Sequence, residues 1–293
     1  MKLAFYAKDF NPELKEKFFF MFNYFHEKGV RLYYYHKLYK AIKDDSEKFP
    51  KGKIFSTSDD LEDDIDMMIT LGGDGTFIGS IFLIKNKNIP VVGINFGRLG
   101  FLTATKFAQK QVWMNRIIEG DYHYVGLPLL KLCLETPLDI FKYAVNEISV
   151  QRTIPTLMGI DVKINGHAIP TYWADGFIIA TSTGSTAYSL SVGGPIVTPS
   201  CHVFILSPIA SHNLNMRPLV ITDDSEIEVS LQSRADDAVL SVDNKSIVVS
   251  SDFKFKVCKS TCTIPSIIFS DKNAGFFQAL HDKLSWGADQ RNF

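Results

Sequence analysis

Residues 1–120 alternate short continuous apolar runs with segments whose apolar side chains recur every three to four positions. Such runs predict buried strands, and the helical spacing predicts helices that bury one face. Asn11-Pro12-Glu13 begins the first helix, and Gly29 and Gly120 end the first and the last. Strands are predicted at 3–6, 30–34, 67–71 and 89–94, and helices at 14–25, 76–85 and 108–118. Strands that alternate with helices favour an α/β domain with a parallel sheet.

From about Leu127 the pattern changes to short β-rich segments separated by turn residues. These segments are 129–134, 141–151, 159–164, 176–181, 226–232, 238–242 and 253–257. Asn165-Gly166 and Asp243-Asn244 are typical of tight turns between antiparallel strands. Residues 274–286 return to helical spacing through Phe277, Leu280 and Leu284, and we expect this last helix to pack on the first domain.

The predicted fold class is an α/β N-terminal domain with a parallel sheet, followed by a mostly β C-terminal domain. The predicted first domain covers 1–126 and is completed by 272–293, and the β-rich domain covers 127–271. A chain of 293 residues has the length expected for two domains of ordinary size.

Composition narrows the choice of partners. The net charge of −1 gives no electrostatic argument for a nucleic-acid or membrane partner. The charged start at residues 1–9 is unlike a secretory signal, and no apolar run approaches the ~20 residues that span a bilayer. The scattered cysteines (Cys133, Cys201, Cys258 and Cys262) favour reduced thiols in the cytoplasm.

The first candidate site is a glycine turn between the predicted strand 67–71 and a helix that Thr76 would cap. It reads Gly72-Gly73-Asp74-Gly75-Thr76. Glycines permit close backbone approach, and amides at the start of a helix bind anions. Asp74 would repel a phosphate unless it holds a cation or takes a proton from a reacting hydroxyl, so the loop indicates phosphoryl transfer. The alternative is a tight turn without chemistry.

Two further candidates lie in the second half of the chain. Asp175-Gly176 and the apolar run 177–180 precede a loop of hydroxyl residues, Thr181-Ser182-Thr183-Gly184-Ser185-Thr186-Ala187-Tyr188-Ser189-Leu190-Ser191. Hydroxyls suit a ribose or a phosphate, and a tyrosine can stack on a base. The amide and carboxylate of Asn146-Glu147 could bind a purine edge or a ribose diol. The alternatives are a Ser/Thr-rich loop that opens a helix and an exposed turn.

Other patterns are less specific. Phe101, in the glycine-punctuated loop 95–102, either lines a pocket or belongs to a simple connection. The chain lacks the G-x-x-x-x-G-K-[ST] phosphate loop, the G-x-G-x-x-G dinucleotide motif and the G-x-S-x-G nucleophile elbow. Its histidines form no ligand pair.

Taken together, these motifs resemble the NAD kinase family. The resemblance covers nearly the whole chain after residue 66, in the order of the family's motifs. It rests on Gly72-Gly73-Asp74-Gly75-Thr76, Gly97-Arg98-Leu99-Gly100-Phe101-Leu102, Asn146-Glu147, Asp175-Gly176, Thr183–Ser191 with Gly193-Gly194-Pro195, Arg217-Pro218-Leu219-Val220 and Leu284-Ser285-Trp286-Gly287.

The resemblance implies transfer of the ATP γ-phosphoryl group to the 2′-hydroxyl of the adenosine ribose of NAD. It implies that Asp74 is the general base and that Mg²⁺ or another divalent cation accompanies ATP. It further implies a homodimer or homotetramer in which Asp175 can reach a neighbouring subunit's site. The implied phosphate loop is Gly72, Gly73, Gly75 and Thr76, and the implied NAD contacts are Asp74, Gly75, Phe101, Asn146, Glu147, Asp175, Thr183, Thr186, Ala187, Tyr188 and Ser191.

Three positions depart from the family pattern. Asp243-Asn244-Lys245 stands where Asp-Gly-Gln is common, Trp173 stands where bacterial members often have a basic residue, and Ser182 replaces a usual proline. The sequence leaves open a lipid kinase of the diacylglycerol type, which shares the glycine turn, and a non-catalytic NAD sensor. It also leaves open the range of phosphoryl donors and the choice between NAD and NADH.

Overall fold

The computed structural model describes residues 1–43, 49–84, 87–97, 100–233, 236–269 and 274–284. The chain divides into two compact units, Met1–Gly126 with Ile264–Phe293 and Leu127–Thr263. The predicted boundary after residue 126 agrees with this division. The chain returns to the first unit at Ile264, earlier than the expected 272, because a strand that the sequence pattern did not predict, Ile264–Ile268, joins the first sheet beside Val91–Asn95.

The first unit is an α/β layer, as predicted. Its elements are β1 Lys2–Tyr6, α1 Lys15–Glu27, β2 Arg31–Tyr35, α2 His36–Ile42, β3 Lys53–Phe55, β4 Met67–Leu71, α3 Asp74–Ile84, β5 Val91–Asn95, β6 Thr105–Lys106, α4 Lys110–Glu119, β7 His123–Leu127, β21 Ile264–Ile268 and α6 Ala274–Leu284. The sheet has the order β3-β2-β1-β4-β5-β21-β7, with β6 paired to β5. The pairs from β3 to β21 are parallel.

Apolar runs form the central strands because both faces of a parallel sheet are covered. Strands β1, β4 and β5 are buried at every residue. Asn11 caps the turn that leads into α1, where its Oδ1 accepts the Glu13 amide at 3.0 Å. Gly29 and Gly120 have positive φ values of 75° and 72°, and they end α1 and α4 as expected.

The second unit is a β-sandwich with short helical turns. Its elements are β8 Leu130–Cys133, β9 Tyr143–Ala144, β10 Glu147–Arg152, β11 Met158–Ile164, β12 His167–Ala168, β13 Tyr172–Ala174, β14 Gly176–Thr181, α5 Tyr188–Ser191, β15 Val203–Ile209, β16 Leu219–Thr222, β17 Ile227–Ser233, β18 Asp237–Val242, β19 Lys245–Ser250 and β20 Lys254–Lys259. One antiparallel sheet has the order β16-β15-β14-β10-β18-β19, and the other has β12-β11-β17-β20-β8-β9 with β13 beside β11. Their inner faces share one apolar core.

The sequence predicted the last helix but not which of its residues are buried. Helix α6 belongs to the first unit as predicted, but it buries Phe276, Ala279 and Leu280, whereas Phe277 and Leu284 are 55% and 40% exposed.

Residues 285–286 of the predicted last helix lie outside the described residues, as do Lys85 at the predicted end of α3 and Arg98-Leu99 of the glycine-rich loop. Among the described helices, none is long and apolar enough to cross a membrane. The four cysteines are free thiols.

Candidate active site

The glycine turn joins β4 directly to α3. The helix begins at Asp74, so the prediction that Thr76 caps it is wrong. The amides of Thr76 and Phe77 both donate to the Gly73 carbonyl, at 2.9 and 3.1 Å, which draws Thr76 into the first helical turn. A Cβ at Gly72 would lie 2.4 Å from Thr76 Oγ1, whereas one at Gly73 or Gly75 would meet nothing within 4 Å. Close packing therefore requires a glycine only at position 72.

The Asp74 carboxylate faces the segment 100–103, not open solvent. Its Oδ2 accepts the Phe101 amide at 3.0 Å. Its Oδ1 accepts the Leu102 amide at 3.0 Å, the Thr103 amide at 3.1 Å and the Thr103 hydroxyl at 3.0 Å. Lys283 Nζ, on α6, lies 2.9 Å from Oδ2. Loop amides and one ammonium group thus fix the orientation of this carboxylate.

These donors also set the charge of Asp74. Burial alone would raise its pKa, but the charge and hydrogen bond of Lys283 and the amides of Phe101 and Leu102 hold the pKa below its usual 3.8. Asp74 is therefore an ionised acceptor at neutral pH. Sequence reasoning missed Leu102, Thr103 and Lys283 because two of them act through backbone amides and the third is far along the chain.

Phe101 contributes to this site with both its backbone and its ring. While its amide holds Asp74, its ring centre lies 5.8 Å from that of Phe276 and 4.6 Å from Lys283 Nζ. The ring therefore contacts α6, and its expected place in a pocket wall stays a prediction.

In the second unit, a buried carboxylate organises Asn146-Glu147. Asp243 Oδ1 accepts the amides of Asn146 at 2.8 Å and Glu147 at 3.1 Å, and Oδ2 accepts that of Val145 at 2.9 Å. Asp243 begins the β18–β19 turn with a φ of +49°, which an aspartate tolerates better than most residues. In the sequence, Asp243 stands out only as a turn residue and as part of Asp243-Asn244-Lys245, which departs from the family pattern. Its bonds to three consecutive amides could not be predicted from these signals.

Two buried polar atoms near Asn146-Glu147 have no hydrogen-bond partner in the described ranges, namely Glu147 Oε2 and Thr183 Oγ1. Burial, together with the charge of Asp243, raises the pKa of Glu147 from 4.5 to about 8. A hydrogen bond from the Tyr188 amide acts in the opposite direction and lowers the pKa. Burial also raises the pKa of Asp243, from 3.8 to about 6. Glu147 is thus a neutral acid at pH 7, able to donate as well as accept. Unpartnered buried groups of this kind are what a polar ligand can satisfy.

The hydroxyl loop lies against the same turn. Thr181 Oγ1 donates to the Val145 carbonyl at 2.6 Å and accepts the Gly184 amide at 3.0 Å. A Cβ on Gly184 would lie 2.1 Å from the Asn146 carbonyl oxygen, so only glycine permits this approach. Residues 183–186 form a 3-10 turn that leads through Ala187 into α5.

Within this loop the predicted ligand residues differ in exposure. Thr183 is buried, Thr186, Ala187 and Tyr188 are half-buried, and Ser191 is exposed. The Thr186 hydroxyl donates to the Thr183 carbonyl at 3.3 Å, and the Tyr188 hydroxyl to Gln151 Oε1 at 3.4 Å. The structure therefore brings Asn146, Glu147 and 183–188 together within the second unit.

Asp175 lies at the opposite end of the paired strands β10 and β14. The register pairs Glu147 with Ala180 and Gln151 with Gly176. Asp175 immediately precedes Gly176, so it lies about five residues, or ~17 Å, from the Glu147 end of the strands. There its Oδ2 accepts a hydrogen bond from Arg152 Nη2 at 2.9 Å. Trp173, 38% exposed, packs over Gly159 on the neighbouring strand. Asp175 is thus separated from Asn146-Glu147, and the Tyr188 hydroxyl, bonded to Gln151, extends toward it.

Family models match both units. Residues 14–122 match the ATP-NAD kinase N-terminal domain, and residues 145–267 match the ATP-NAD kinase C-terminal domain. The chain belongs to the NAD kinase family. The resemblance inferred from the ordered motifs is therefore confirmed. The prediction that the protein is an enzyme, an NAD kinase, is confirmed as well.

Relatives in two Flavobacterium species extend this match. The NAD kinase of Flavobacterium johnsoniae is 34% identical over 100% of both chains, and that of Flavobacterium psychrophilum is 39% identical over 81% of this chain and 82% of its own. Yeast NADH kinase in complex with NADH has a similar fold, with a TM-score of 0.88, 23% identity and coverage of 100% of this chain and 89% of its own. The NAD kinase of Archaeoglobus fulgidus in complex with ATP also has a similar fold, with a TM-score of 0.72 and 24% identity. The match covers 96% of this chain and 99% of that chain. The NAD kinase fold is shared, and the comparisons support neither a lipid kinase nor a sensor.

Proposed function

We propose that the protein transfers the γ-phosphoryl group of ATP to the 2′-hydroxyl of the adenosine ribose of NAD, with Asp74 as general base. The observation that carries the assignment is the ionised Asp74 carboxylate at the glycine turn, fixed by the amides of Phe101, Leu102 and Thr103. The ribose oxygen bonds to the γ-phosphorus while the bond from that phosphorus to the β,γ-bridging oxygen breaks. The hydroxyl proton goes to Asp74 and then to solvent, and the products are NADP and ADP.

The fixed orientation of Asp74 fits this role better than its basicity does. A low pKa makes a carboxylate a weak base, but one that stays ionised across the neutral range. A ribose hydroxyl loses its proton mainly in the transition state, so a positioned acceptor helps there more than in the ground state. The remaining catalysis is positioning and charge neutralisation, as in other phosphoryl transfers.

The second unit supplies the dinucleotide contacts in this proposal. The unpartnered Glu147 Oε2 and Thr183 Oγ1 would form hydrogen bonds with a ribose or base. Asn146, Thr186, Ala187, Tyr188 and Ser191 would add further NAD contacts from the same unit, and Asp175 would bind the nicotinamide end.

The divalent cation is proposed to arrive with ATP, as part of the substrate. In the described part of the chain, no three His, Cys, Asp or Glu side chains cluster as metal ligands. Both oxygens of Asp74 are engaged by amides and Lys283. We further propose, on the family resemblance, a cytoplasmic homodimer or homotetramer.

The test is NADP formation from NAD, ATP and Mg²⁺, read with an NADP-specific dehydrogenase. Asp74→Asn keeps the side-chain volume but loses the proton acceptor and turns an NH₂ group toward donors of Asp74, so folding is checked first by thermal unfolding. In the folded variant, kcat should fall by about 10²–10⁴-fold while NAD affinity changes little. Asp121→Asn is the matched control: it changes a carboxylate of the same unit that pairs with Arg116, at 2.8 Å, and should leave kcat unchanged.

The outcomes separate the candidates. A folded Asp74→Asn protein with wild-type turnover contradicts the general base. Wild-type protein that yields no NADP but phosphorylates diacylglycerol is a lipid kinase, and binding of NAD without product indicates a sensor. Repeating the assay with polyphosphate, other triphosphates and NADH defines the donor and acceptor range.

A further inference from the structure

Helix α6 brings a lysine to the proposed general base. Lys283 Nζ lies 2.9 Å from Asp74 Oδ2 and 4.6 Å from the centre of the Phe101 ring, and the Lys283 and Asp74 side chains are 32% and 24% exposed. Both residues belong to the first unit, although 209 positions separate them. The charged end of α6 therefore contacts Asp74 at Oδ2.

The hydrogen-bond capacity of Asp74 is full. A carboxylate offers about four lone-pair positions. Asp74 receives the Phe101, Leu102 and Thr103 amides, the Thr103 hydroxyl and the Lys283 ammonium. A ribose hydroxyl that gives its proton to Asp74 must replace one of these donors. The four donors from 101–103 belong to the loop that holds the carboxylate, whereas Lys283 is a long side chain that can rotate away.

We propose that Lys283 is a positioning residue: its ammonium group occupies the Asp74 oxygen that a substrate hydroxyl must take, and it leaves that oxygen when the hydroxyl binds. The inference rests on the proposed function and adds a residue of α6 to it. Before substrate arrives, the ammonium bonds to Oδ2 and compensates the negative charge of the carboxylate. After it leaves, the carboxylate regains the proton affinity that a general base needs.

The surrounding charges single out Lys283. On α6, Asp282 pairs with Lys106 at 3.5 Å and with His281 at 3.3 Å, and neither of these pairs includes Asp74. The segment 100–103 contributes amides and a hydroxyl. Among the described residues in contact with Asp74, Lys283 is thus the charged one.

The first measurement is independent of activity. The Asp74 carboxyl carbon is titrated by ¹³C NMR in wild type, Lys283→Met, Lys283→Arg and Lys106→Met. Lys283→Met should move the Asp74 titration to higher pH, because burial then acts without the compensating ammonium, and Lys283→Arg should restore it. Lys106→Met removes the neighbouring ion pair of the same helix and is the control for loosened packing of α6.

The second measurement is NAD affinity by calorimetry at neutral pH. Loss of the competing ammonium should tighten NAD binding to Lys283→Met by about twofold to fivefold, the range that exposed ion pairs contribute. In the NADP assay, the acid limb of kcat/KM should move to higher pH in the same variant, with activity falling about tenfold per pH unit below it.

Three outcomes would overturn the proposal. They are an unchanged Asp74 titration in Lys283→Met, an equal change in Lys106→Met, and weaker NAD binding on loss of Lys283, which would make the lysine a ligand contact. Wild-type protein that neither binds NAD nor forms NADP refutes the proposed function instead, and the NMR titration still decides whether Lys283 controls Asp74.

Discussion

Gly100 leaves the space that the Asp74 carboxylate occupies. A Cβ at position 100 would stand 2.0 Å from Asp74 Oδ1 and 2.2 Å from Thr103 Oγ1. Heavy atoms do not approach so closely, so any side chain at this position must move the carboxylate or the loop. The glycine is therefore required by the proposed base.

Gly100→Ala tests this relationship. The clash should destabilise the protein by about 1–3 kcal/mol and displace Asp74, with a loss in kcat of about 10²-fold. Gly97→Ala is the control in the same loop, because a Cβ there meets only Asn95 Oδ1 at 4.0 Å. Thermal unfolding and the NADP assay report the two effects, and equal behaviour of the two variants would contradict the steric argument.

Thr183→Val should separate binding from stability. Thr183 Oγ1 is buried without a partner in the described residues, so its removal should leave the free energy of unfolding unchanged or raise it by up to about 1 kcal/mol. NAD affinity should fall about tenfold, because the ligand loses one hydrogen bond. Calorimetric titration with NAD measures this, and unchanged affinity would remove Thr183 from the site.

Thr181→Val is the matched contrast for Thr183→Val. The Thr181 hydroxyl bonds both Val145 O and Gly184 N. The same exchange two positions away should therefore lower the free energy of unfolding by about 1–3 kcal/mol.

Asp243→Asn should disorder the Asn146-Glu147 turn. The carboxylate accepts three consecutive amides, and the NH₂ group of an asparagine would face one of those N–H donors. We expect a loss of about 1–3 kcal/mol in stability and weaker NAD binding, with kcat at saturation less affected. Chemical denaturation and the KM for NAD are the measurements, and a change confined to kcat would refute a positioning role for Asp243.

Glu147 should make stability depend on pH. Its pKa is raised from 4.5 to about 8, so the folded state holds a proton that the unfolded state releases above pH 4.5. The free energy of unfolding should therefore fall as the pH rises from about 4.5 to 8. Glu147→Gln mimics the neutral acid and should flatten this slope, leaving the variant more stable than wild type at pH 8 by about 1–3 kcal/mol. Parallel curves for the two proteins from pH 5 to 8 would show that Glu147 is not buried as described.

Local patterns predicted much of the fold. The strand 67–71 and the turns at Gly29, Gly120 and Asn165-Gly166 follow from short-range sterics and burial, which a few neighbouring residues determine. The N-terminus of α3 was misplaced because Thr76 is a good cap in isolation, whereas the Gly73 carbonyl accepts two amides and draws Asp74 and Thr76 into the helix. Strand β21 was missed because its pairing partner, β5, lies far back in the chain.

The sequence by itself determined the order of an α/β unit and a β unit, the glycine turn around Asp74 and the motifs of the NAD kinase family. Only the tertiary structure decided that Phe101, Leu102, Thr103 and Lys283 hold Asp74, and that Asp243 shapes the turn at Glu147. The reason is physical: backbone amides donate whatever their side chains are, and the charge state of a carboxyl group depends on burial and on neighbours that the folded chain brings near.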